Sequence, residues 1–323
     1  MTQRIEISYK TVVFTVFFLL FLKFVWIIRE LIYSLLLAFI FMSALKPSVA
    51  RLVRYKLPRP LSAFLVVMTT LLTVLFLFGF LVPPIISESF VFARDLPALL
   101  MQSFPFLKPY LSASSAIQFL PNITQNALKV LSSIFSNVMF VISIFFFTFY
   151  FLLEDKFIES FLAKFLDDKV HRKVVEVLEK AEIRMGAWMR GELILMTSIG
   201  LLTYIGLSII GIPFALSLAF LAGVLEIVPM IGPILSAIPA FIVAASSSLV
   251  LGTGTLVLYL IIQQLENNLI VPYVMNKAVG IHPITTLIAL SIGGTLGGIL
   301  GAILAVPVAL IIETVIQRML KVD

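Results

Sequence analysis

The amino-acid sequence predicts an all-α polytopic membrane protein with about eight hydrophobic segments, two of which are broken re-entrant hairpins in an inverted repeat. Hydrophobic residues make up 61% of the 323-residue chain and charged residues only 12%, whereas ordinary soluble domains have about 45–50% and about 25%. Uncharged runs long enough to span about 30 Å of hydrocarbon recur, among them 61–82 and 135–153. The runs are continuously apolar rather than alternating, which favours helices over a membrane barrel.

The composition also excludes several classes of function. The chain contains no cysteine, so disulfides, thiolate metal sites and cysteine nucleophiles are absent. It has no HExxH motif, no paired intramembrane aspartate and no phosphate-binding Gly-Lys motif. We therefore predict no catalytic residues, no metal site and no cofactor, and we do not expect an enzyme.

The N-terminal part, residues 1–84, contains three predicted spans. The apolar runs 11–28 and 31–45 are separated by Arg29 and Glu30, which predicts a tight helical pair. The following stretch, 46–60, carries only basic charges, which indicates a cytoplasmic loop. The third span, 61–82, ends at a Pro-Pro pair that cannot continue a helix. The basic residues of the loop are Lys46, Arg51, Arg54, Lys56 and Arg59.

The middle of the chain alternates between surface segments and a span. Residues 85–134 interleave aromatic residues with Ser and Pro, which predicts short amphipathic helices on the extracytoplasmic surface. Residues 135–153 form the fourth span. Residues 154–192 form a charged cytoplasmic region whose near balance of signs argues against nucleic-acid binding. One apolar stripe runs along it at helical spacing, through Val170, Val174, Val177, Ala181, Met185 and Trp188.

Residues 193–318 form the predicted transport core, followed by a short tail at 319–323. Two helices, 193–210 and 255–271, are each followed by an apolar segment broken by Pro or Gly. Arms of about 13–16 residues are too short to cross a membrane comfortably and suit re-entrant hairpins. With both hairpins, the two units are inverted and both chain termini are cytoplasmic, as the basic Arg318 and Lys321 require. Such repeats are common in secondary transporters.

The first broken segment carries a carboxylate at its tip. Glu226 lies in the apolar stretch LEIVPMIGPILSAIP, where Pro229 and Pro233 remove backbone donors and Gly232 stands between them. The freed carbonyls need a partner in protein, water or a bound ion. A carboxylate at that depth is a candidate ion- or substrate-binding group. The alternative is a carboxylate bonded to nearby backbone that braces the tip.

The helix 255–271 supplies polar partners for that carboxylate. Its run QQLENN is followed by Pro272, which frees another carbonyl. On a helix, residues three and four apart share a face, so we expect several of these side chains to line the same site. The alternative is that the amides only join helices to one another. The residues of the run are Gln263, Gln264, Glu266, Asn267 and Asn268.

The second broken segment is rich in glycine. Its tip and hinge candidates repeat every four residues, a spacing that also permits close helix packing. Ser291 and Thr295 add hydroxyls, so we predict that they contribute to the binding site. His282, which precedes Pro283, is predicted to start a helix. The glycines are Gly293, Gly294, Gly297, Gly298 and Gly301.

The stretches EIVPMIGPILSAIPA and QQLENNLIVPYVMNKAVGIHPITTLIALSIGGTLGGILGAILAVPVA resemble the autoinducer-2 exporter family, also called PerM-like permeases. The resemblance is strong over residues 190–318 and looser over the N-terminal half. It implies about eight hydrophobic segments, a plasma-membrane location and an oligomeric assembly such as a pentamer. It also implies export of a small hydrophilic signalling molecule, or exchange of sodium or lithium for protons.

These observations lead to a hypothesis of alternating-access transport around Glu226 and Glu266, with the hairpins as gates. The expected partners are the lipid bilayer, a small-molecule or monovalent-cation substrate and further copies of the chain, without nucleic acid. The expected location is the bacterial inner membrane. Two other hypotheses stay open: a passive oligomeric pore, which requires a continuous polar lining, and a membrane scaffold without transport.

Overall fold

A computed structural model describes residues 9–77, 79–80, 138–154, 157–229, 231–275 and 282–319. Within these ranges the chain is helical and contains no strand, which confirms the all-α fold class. The predicted extracytoplasmic segment 85–134 lies outside the described residues. Eleven α-helices are named here in chain order: α1 (Tyr9–Ile27), α2 (Arg29–Arg54), α3 (Arg59–Leu77), α4 (Val138–Leu153), α5 (Phe157–Leu162), α6 (Asp168–Ile210), α7 (Ala215–Leu225), α8 (Ile231–Ser247), α9 (Leu249–Leu265), α10 (Val271–Met275) and α11 (Pro283–Met319).

Six described segments are long and apolar enough to cross a membrane, so the protein is a multi-pass membrane protein. They are α1, α2, α3, α6, the segment Leu249–Met275 and the segment Ile284–Arg318. The shorter apolar helices are Met139–Leu153, α7 and α8.

The start of the chain differs from the predicted helical pair. The amide of Ile28 bonds to the carbonyl of Phe24, and its own carbonyl accepts from Ile32, both at 3.0 Å. Helical hydrogen bonding therefore continues from α1 into α2, and the two helices meet end to end. The expectation of a tight pair was wrong because the junction at residues 28–30 has no Gly or Pro, and Arg29 and Glu30 do not break a helix. No side chain of α1 is buried.

The basic stretch is also more helical than expected. α2 continues through Pro47 to Arg54, so only residues 55–58 connect it to α3. Proline removes one hydrogen bond and does not always end a helix. Here the helix beyond Pro47 buries Val49 in a small core shared with α3 and α4, and this packing holds the last turns in place.

The long helix α6 organises the rest of the molecule. It runs without a break across position 192, where the sequence suggested a change of domain. Its first half packs with α2, α4 and α11 in one core, around Met185 and Trp188. Its second half packs with α7, α8 and α9 in another core, around Ile199 and Leu207. The apolar stripe predicted for residues 170–188 therefore packs inside the protein at its C-terminal end.

Both broken segments are broken helices, as the sequence predicted. In the first, α7 and α8 pack against each other and are separated by a tip that begins at Glu226. In the second, α11 is interrupted at Gly298, whose φ of 59° and ψ of −138° are not helical. Gly293 and Gly301 lie against each other across this break, so the two arms fold back on one another. The inverted relation of the two hairpins stays a prediction.

The helix predicted at 255–271 is longer and is not uniform. α9 begins at Leu249, where the Ser248 hydroxyl accepts from the amide of Leu251 at 3.1 Å. A π-helical turn, Glu266–Ile270, then precedes α10. Such turns insert one extra residue and often occur at functional sites. The turn changes which side chains after Leu265 face the bundle.

Single cysteines in this cysteine-free chain are expected to map the topology. Cysteines at Arg54 and Lys180 should be modified by a membrane-impermeant thiol reagent from the cytoplasmic side, and one at Ser247 from the opposite side only. The physical reason is that charge-rich segments favour the cytoplasmic side, and a re-entrant first hairpin would then place the end of α8 at the opposite surface. Modification of positions 180 and 247 from the same side would contradict the re-entrant arrangement of the first hairpin.

Candidate functional site

Glu226 lies at the tip of the first hairpin, where α7 ends. Its backbone closes α7 by bonding to the carbonyl of Ala222 at 3.1 Å. The residue is 1% exposed and its Oε2 has no hydrogen-bond partner in the protein. α7 packs so closely on α6 that Gly223 lies against the backbone of Met196 and Gly200. This contact places the Glu226 carboxyl inside the second core.

Glu266 approaches Glu226 from the other side. It is the first residue of the π-helical turn and is 5% exposed. Its Oε2 accepts a hydrogen bond from Nε2 of Gln263 at 3.0 Å. The carboxyl groups of Glu226 and Glu266 lie next to each other. Two carboxylates this close repel each other when both are ionised, so a proton or a cation between them is favoured.

Glu192 is a third buried carboxyl group near this pair, and the sequence analysis missed it. It lies on α6, is 1% exposed, and neither of its oxygens has a hydrogen-bond partner. Its charge interacts with those of Glu226 and Glu266. The signal was present in the sequence. The apolar stripe passes through Met185 and Trp188 and continues at helical spacing to Leu195 and Ile199. Position 192 falls on this stripe, so a glutamate occupies a core position.

The surroundings of the three glutamates supply no compensating positive charge among the described residues. The charged groups that act on Glu192 and Glu226 are other glutamates. Arg190 faces α2, where its guanidinium donates to the carbonyls of Ser43 and Ala44 at 3.3 Å. Within the described ranges, no cluster of three acidic, His or Cys side chains has the geometry of a metal site.

The remaining side chains of the QQLENN run do not join the pair. Gln264, Asn267 and Asn268 are exposed. The amide of Asn268 donates to the backbone and side-chain oxygens of Gln264, at 2.9 and 3.1 Å. Both residues line a shallow apolar groove on the outside of α9. Of this run, Gln263 and Glu266 face the site, whereas Gln264, Asn267 and Asn268 lie on the exposed face of the segment.

The proline-freed carbonyls at the tip have partners within the tip. The carbonyl of Leu225 accepts from the amide of Val228 at 3.0 Å, and that of Pro229 accepts from Ile231 at 2.8 Å. Gly232 touches the backbone of Leu225 so closely that a Cβ atom would overlap its carbonyl. The backbone thus closes on itself through short turns, and the Glu226 carboxyl lies next to Glu266. Pro233 follows Gly232 in α8, and Pro272 follows the π-helical turn in α10.

The second hairpin lies elsewhere. α11 packs on α6 and α2 rather than on α7, α8 or α9. Ser291 and Thr295 are exposed, and the hydroxyl of Thr295 donates to the carbonyl of Ser291 at 2.6 Å. Gly297 lies against Tyr33, whereas a Cβ atom added at Gly294 would have no atom within 4 Å. Nδ1 of His282 accepts from the amide of Ile284 at 3.3 Å, as expected of a helix-start residue.

Comparisons with known proteins agree with this architecture. A family profile described as "AI-2E family transporter" matches residues 13–321. The chain is 28% identical over 297 residues to the Bacillus subtilis protein named "Putative transport protein YueF", covering 85% of this chain and 80% of that protein. It is 25% identical over 280 residues to the Escherichia coli K12 protein named "Putative transport protein YhhT", covering 82% and 78%. The match over nearly the whole chain shows that this protein is a membrane transporter of the AI-2E family.

Proposed function

We propose that the protein is a secondary transporter that works by alternating access around the Glu226–Glu266 pair. The observation that carries this proposal is the pair itself: two buried carboxyl groups that lie next to each other at the break of a helical hairpin. Breaks of this kind line binding sites in many transporters. The transported species is a small hydrophilic molecule of the autoinducer-2 type, or sodium or lithium exchanged for protons.

Proton exchange follows from the chemistry of the pair. Burial disfavours charge on both carboxyl groups, and a shared proton removes part of that cost. A cation that enters the site, or a polar substrate that donates hydrogen bonds, offers an alternative to the proton. Proton and substrate therefore compete for the same oxygens. If the site opens to one side at a time, this competition couples their movements in opposite directions.

The two alternative hypotheses fit the geometry less well. A passive pore needs a continuous wide polar lining, whereas the carboxyl groups here are enclosed and concentrated in one place. A scaffold without transport does not require three buried carboxyl groups. Burial of each group destabilises the fold by about several kcal/mol when the group is charged and unpaired. Intramembrane acidic residues usually belong to substrate or proton pathways.

We further propose that the transporter resides in the bacterial plasma membrane as a homo-oligomer, such as a pentamer, with both termini in the cytoplasm. The relatives named above come from bacteria. α1 is mostly apolar, with Lys10 and Lys23 as its charged residues, and it buries no side chain within the protein. Such a helix offers contact area to lipid or to further copies of the chain.

Flux measurements on the purified wild-type protein test this proposal. In proteoliposomes with an internal pH indicator, an imposed gradient of sodium, lithium or a candidate signalling molecule should drive proton movement in the opposite direction. Empty liposomes give the leak rate. Mass measurement in mild detergent gives the number of copies in the same preparation. Substrate flux that continues unchanged without any accompanying proton movement would support a passive pore and contradict antiport.

A further inference from the structure

Unpartnered buried polar atoms are concentrated in one part of the molecule. In the described residues, the buried side-chain oxygens without a hydrogen-bond partner belong to Glu192, Thr203, Glu226, Thr255 and Tyr259. These residues lie on α6, at the tip after α7, and on α9. Buried polar groups normally have partners, so a group of exceptions in one place needs an explanation.

Other hydroxyl groups in the apolar helices are satisfied locally. Thr148 is 1% exposed and donates to the carbonyl of Ile144 at 2.7 Å. Thr314 is equally buried and donates to Leu310 at 2.7 Å. Thr203 and Thr255, which are 1% and 0% exposed, make no such bond to their own helices. Their hydroxyls are therefore oriented differently from those of comparable threonines in the same protein.

The register of α6 and α9 arranges these groups in a file. Gly206 of α6 lies against Leu258 of α9, and Gly191 lies against Met275 just beyond the π-helical turn. The two helices are therefore antiparallel, and a residue of one can be placed level with a residue of the other. At about 1.5 Å per residue, Glu192 and Thr203 are separated by about 16 Å along α6.

Residues of α9 and of the turn after it lie between the levels of Glu192 and Thr203 and beyond Thr203. By this register, Glu266 lies about a turn before Thr203, Tyr259 lies about a turn beyond it, and Thr255 lies close to the end of α6. The hydroxyl of Tyr259 also lies beside Ser236 of α8, without a well-formed hydrogen bond. Polar groups thus follow one another from the carboxyl cluster toward the end of the bundle where α9 begins.

We propose that Thr203, Tyr259 and Thr255 line a narrow water-containing path along which protons travel between the Glu226–Glu266 pair and the end of the bundle where α9 begins. The proposal rests on the proposed proton-coupled function of that pair. Each hydroxyl can accept one hydrogen bond and donate another, so it can hold a water molecule on either side. A proton then passes between water molecules and carboxyl oxygens, and no other bond is changed.

The path has a different composition on the two sides of the pair. On the side toward α9's first turn, the lining groups are neutral hydroxyls. On the other side lies Glu192, a carboxyl group that can itself hold a proton. Among the described residues, the charged groups facing the pair are Glu192 on α6 and the pair's own members on the α7–α8 tip and after α9. We assign Glu192 as the next proton-holding group beyond the pair.

Accessibility to a small ion tests whether the path contains water. Silver ion is comparable in size to a water molecule and replaces the proton of a thiol. Cysteines at Thr203 and Thr255 are expected to react with silver much faster than one at Thr148, which is equally buried but locally bonded. After the silver treatment, the protein is denatured and labelled with a maleimide, and the amount of label reports the fraction of thiol that did not react with silver. Equal, slow reaction at all three positions would show that the interface is dry and would overturn the path.

Proton flux tests whether the path is used. Thr203→Val, Thr255→Val and Tyr259→Phe keep the shapes of the side chains and remove only the hydroxyls. Each is expected to slow proton-coupled flux about tenfold, the effect of one lost hydrogen bond on a rate. Substrate binding, measured separately, should be unchanged. Thr148→Val is the matched control and should retain the wild-type rate.

The outcomes separate this inference from the proposed function. If substitution of Glu226 abolishes coupled flux while all three hydroxyl variants keep the wild-type rate, the carboxyl pair is used but the path is not. If the variants of Glu226 and Glu266 also keep wild-type coupled flux, the proposed function itself is wrong. Slower flux in the hydroxyl variants together with silver access at positions 203 and 255 would support the path.

Discussion

Glu226→Gln and Glu266→Gln are each expected to reduce ion-coupled flux to the level of empty liposomes, while expression and oligomeric state persist. Glutamine keeps the length and the hydrogen-bonding capacity of glutamate but cannot release or accept the exchanged proton. The glutamine side chain can also donate a hydrogen bond to the remaining carboxyl group of the pair, so each single variant keeps a polar partner at this buried position. The loss should therefore appear in transport rather than in folding.

The measurement is proton movement in proteoliposomes under a substrate gradient, repeated over a range of pH. Glu176→Gln is the matched control, because Glu176 lies on the exposed part of α6 with only a 3.8 Å contact to Arg318. His282→Asn should also transport normally. Wild-type flux with unchanged pH dependence in both single variants and in the double variant would eliminate the pair as the proton carrier.

Gly232→Val is expected to disrupt the first hairpin, and with it both stability and transport. A Cβ atom at position 232 would overlap the carbonyl of Leu225 and the amide of Glu226, which are backbone atoms and cannot move aside independently. Overpacking of this kind costs about 3 kcal/mol. The tip must open to relieve it, and opening displaces the Glu226 carboxyl from Glu266.

Thermal unfolding in detergent and the flux assay together check this expectation. Gly254→Val is the matched control, because Gly254 also lies in an apolar helix but has no atom within 4 Å of an added Cβ. Its apparent melting temperature should fall only slightly. A Gly232→Val protein with the melting temperature and coupled flux of the wild type would show that the tip is not closed as described.

Local sequence patterns predicted much of the fold correctly. The continuous apolar runs identified the membrane helices, and the breaks that begin at Glu226 and at Gly298 coincide with the Pro- and Gly-rich positions of both segments. Glu226 and Glu266 were recognised because a single acidic residue in an apolar run is costly and therefore conspicuous. The errors at the α1–α2 junction and after Pro47 arose because charged residues and one proline were given too much weight as helix breakers.

The sequence by itself determined the class of protein, the broken helices and two of the three buried carboxyl groups, since these follow from hydropathy and from backbone chemistry along a short stretch.

Only the tertiary structure decided which polar residues meet. Glu192 joins the cluster because α6 continues past the charged region and carries it into the second core. Gln264, Asn267 and Asn268 are excluded because they lie on the exposed face of this segment, Gln264 within α9 and the two asparagines within the π-helical turn. Ser291 and Thr295 stay apart because α11 packs on α2 and α6. The physical reason is that the register between helices separated in the chain depends on close contacts at glycines, which no local pattern specifies. Gly206 lies against the Leu258 side chain and Gly223 against the backbone of α6.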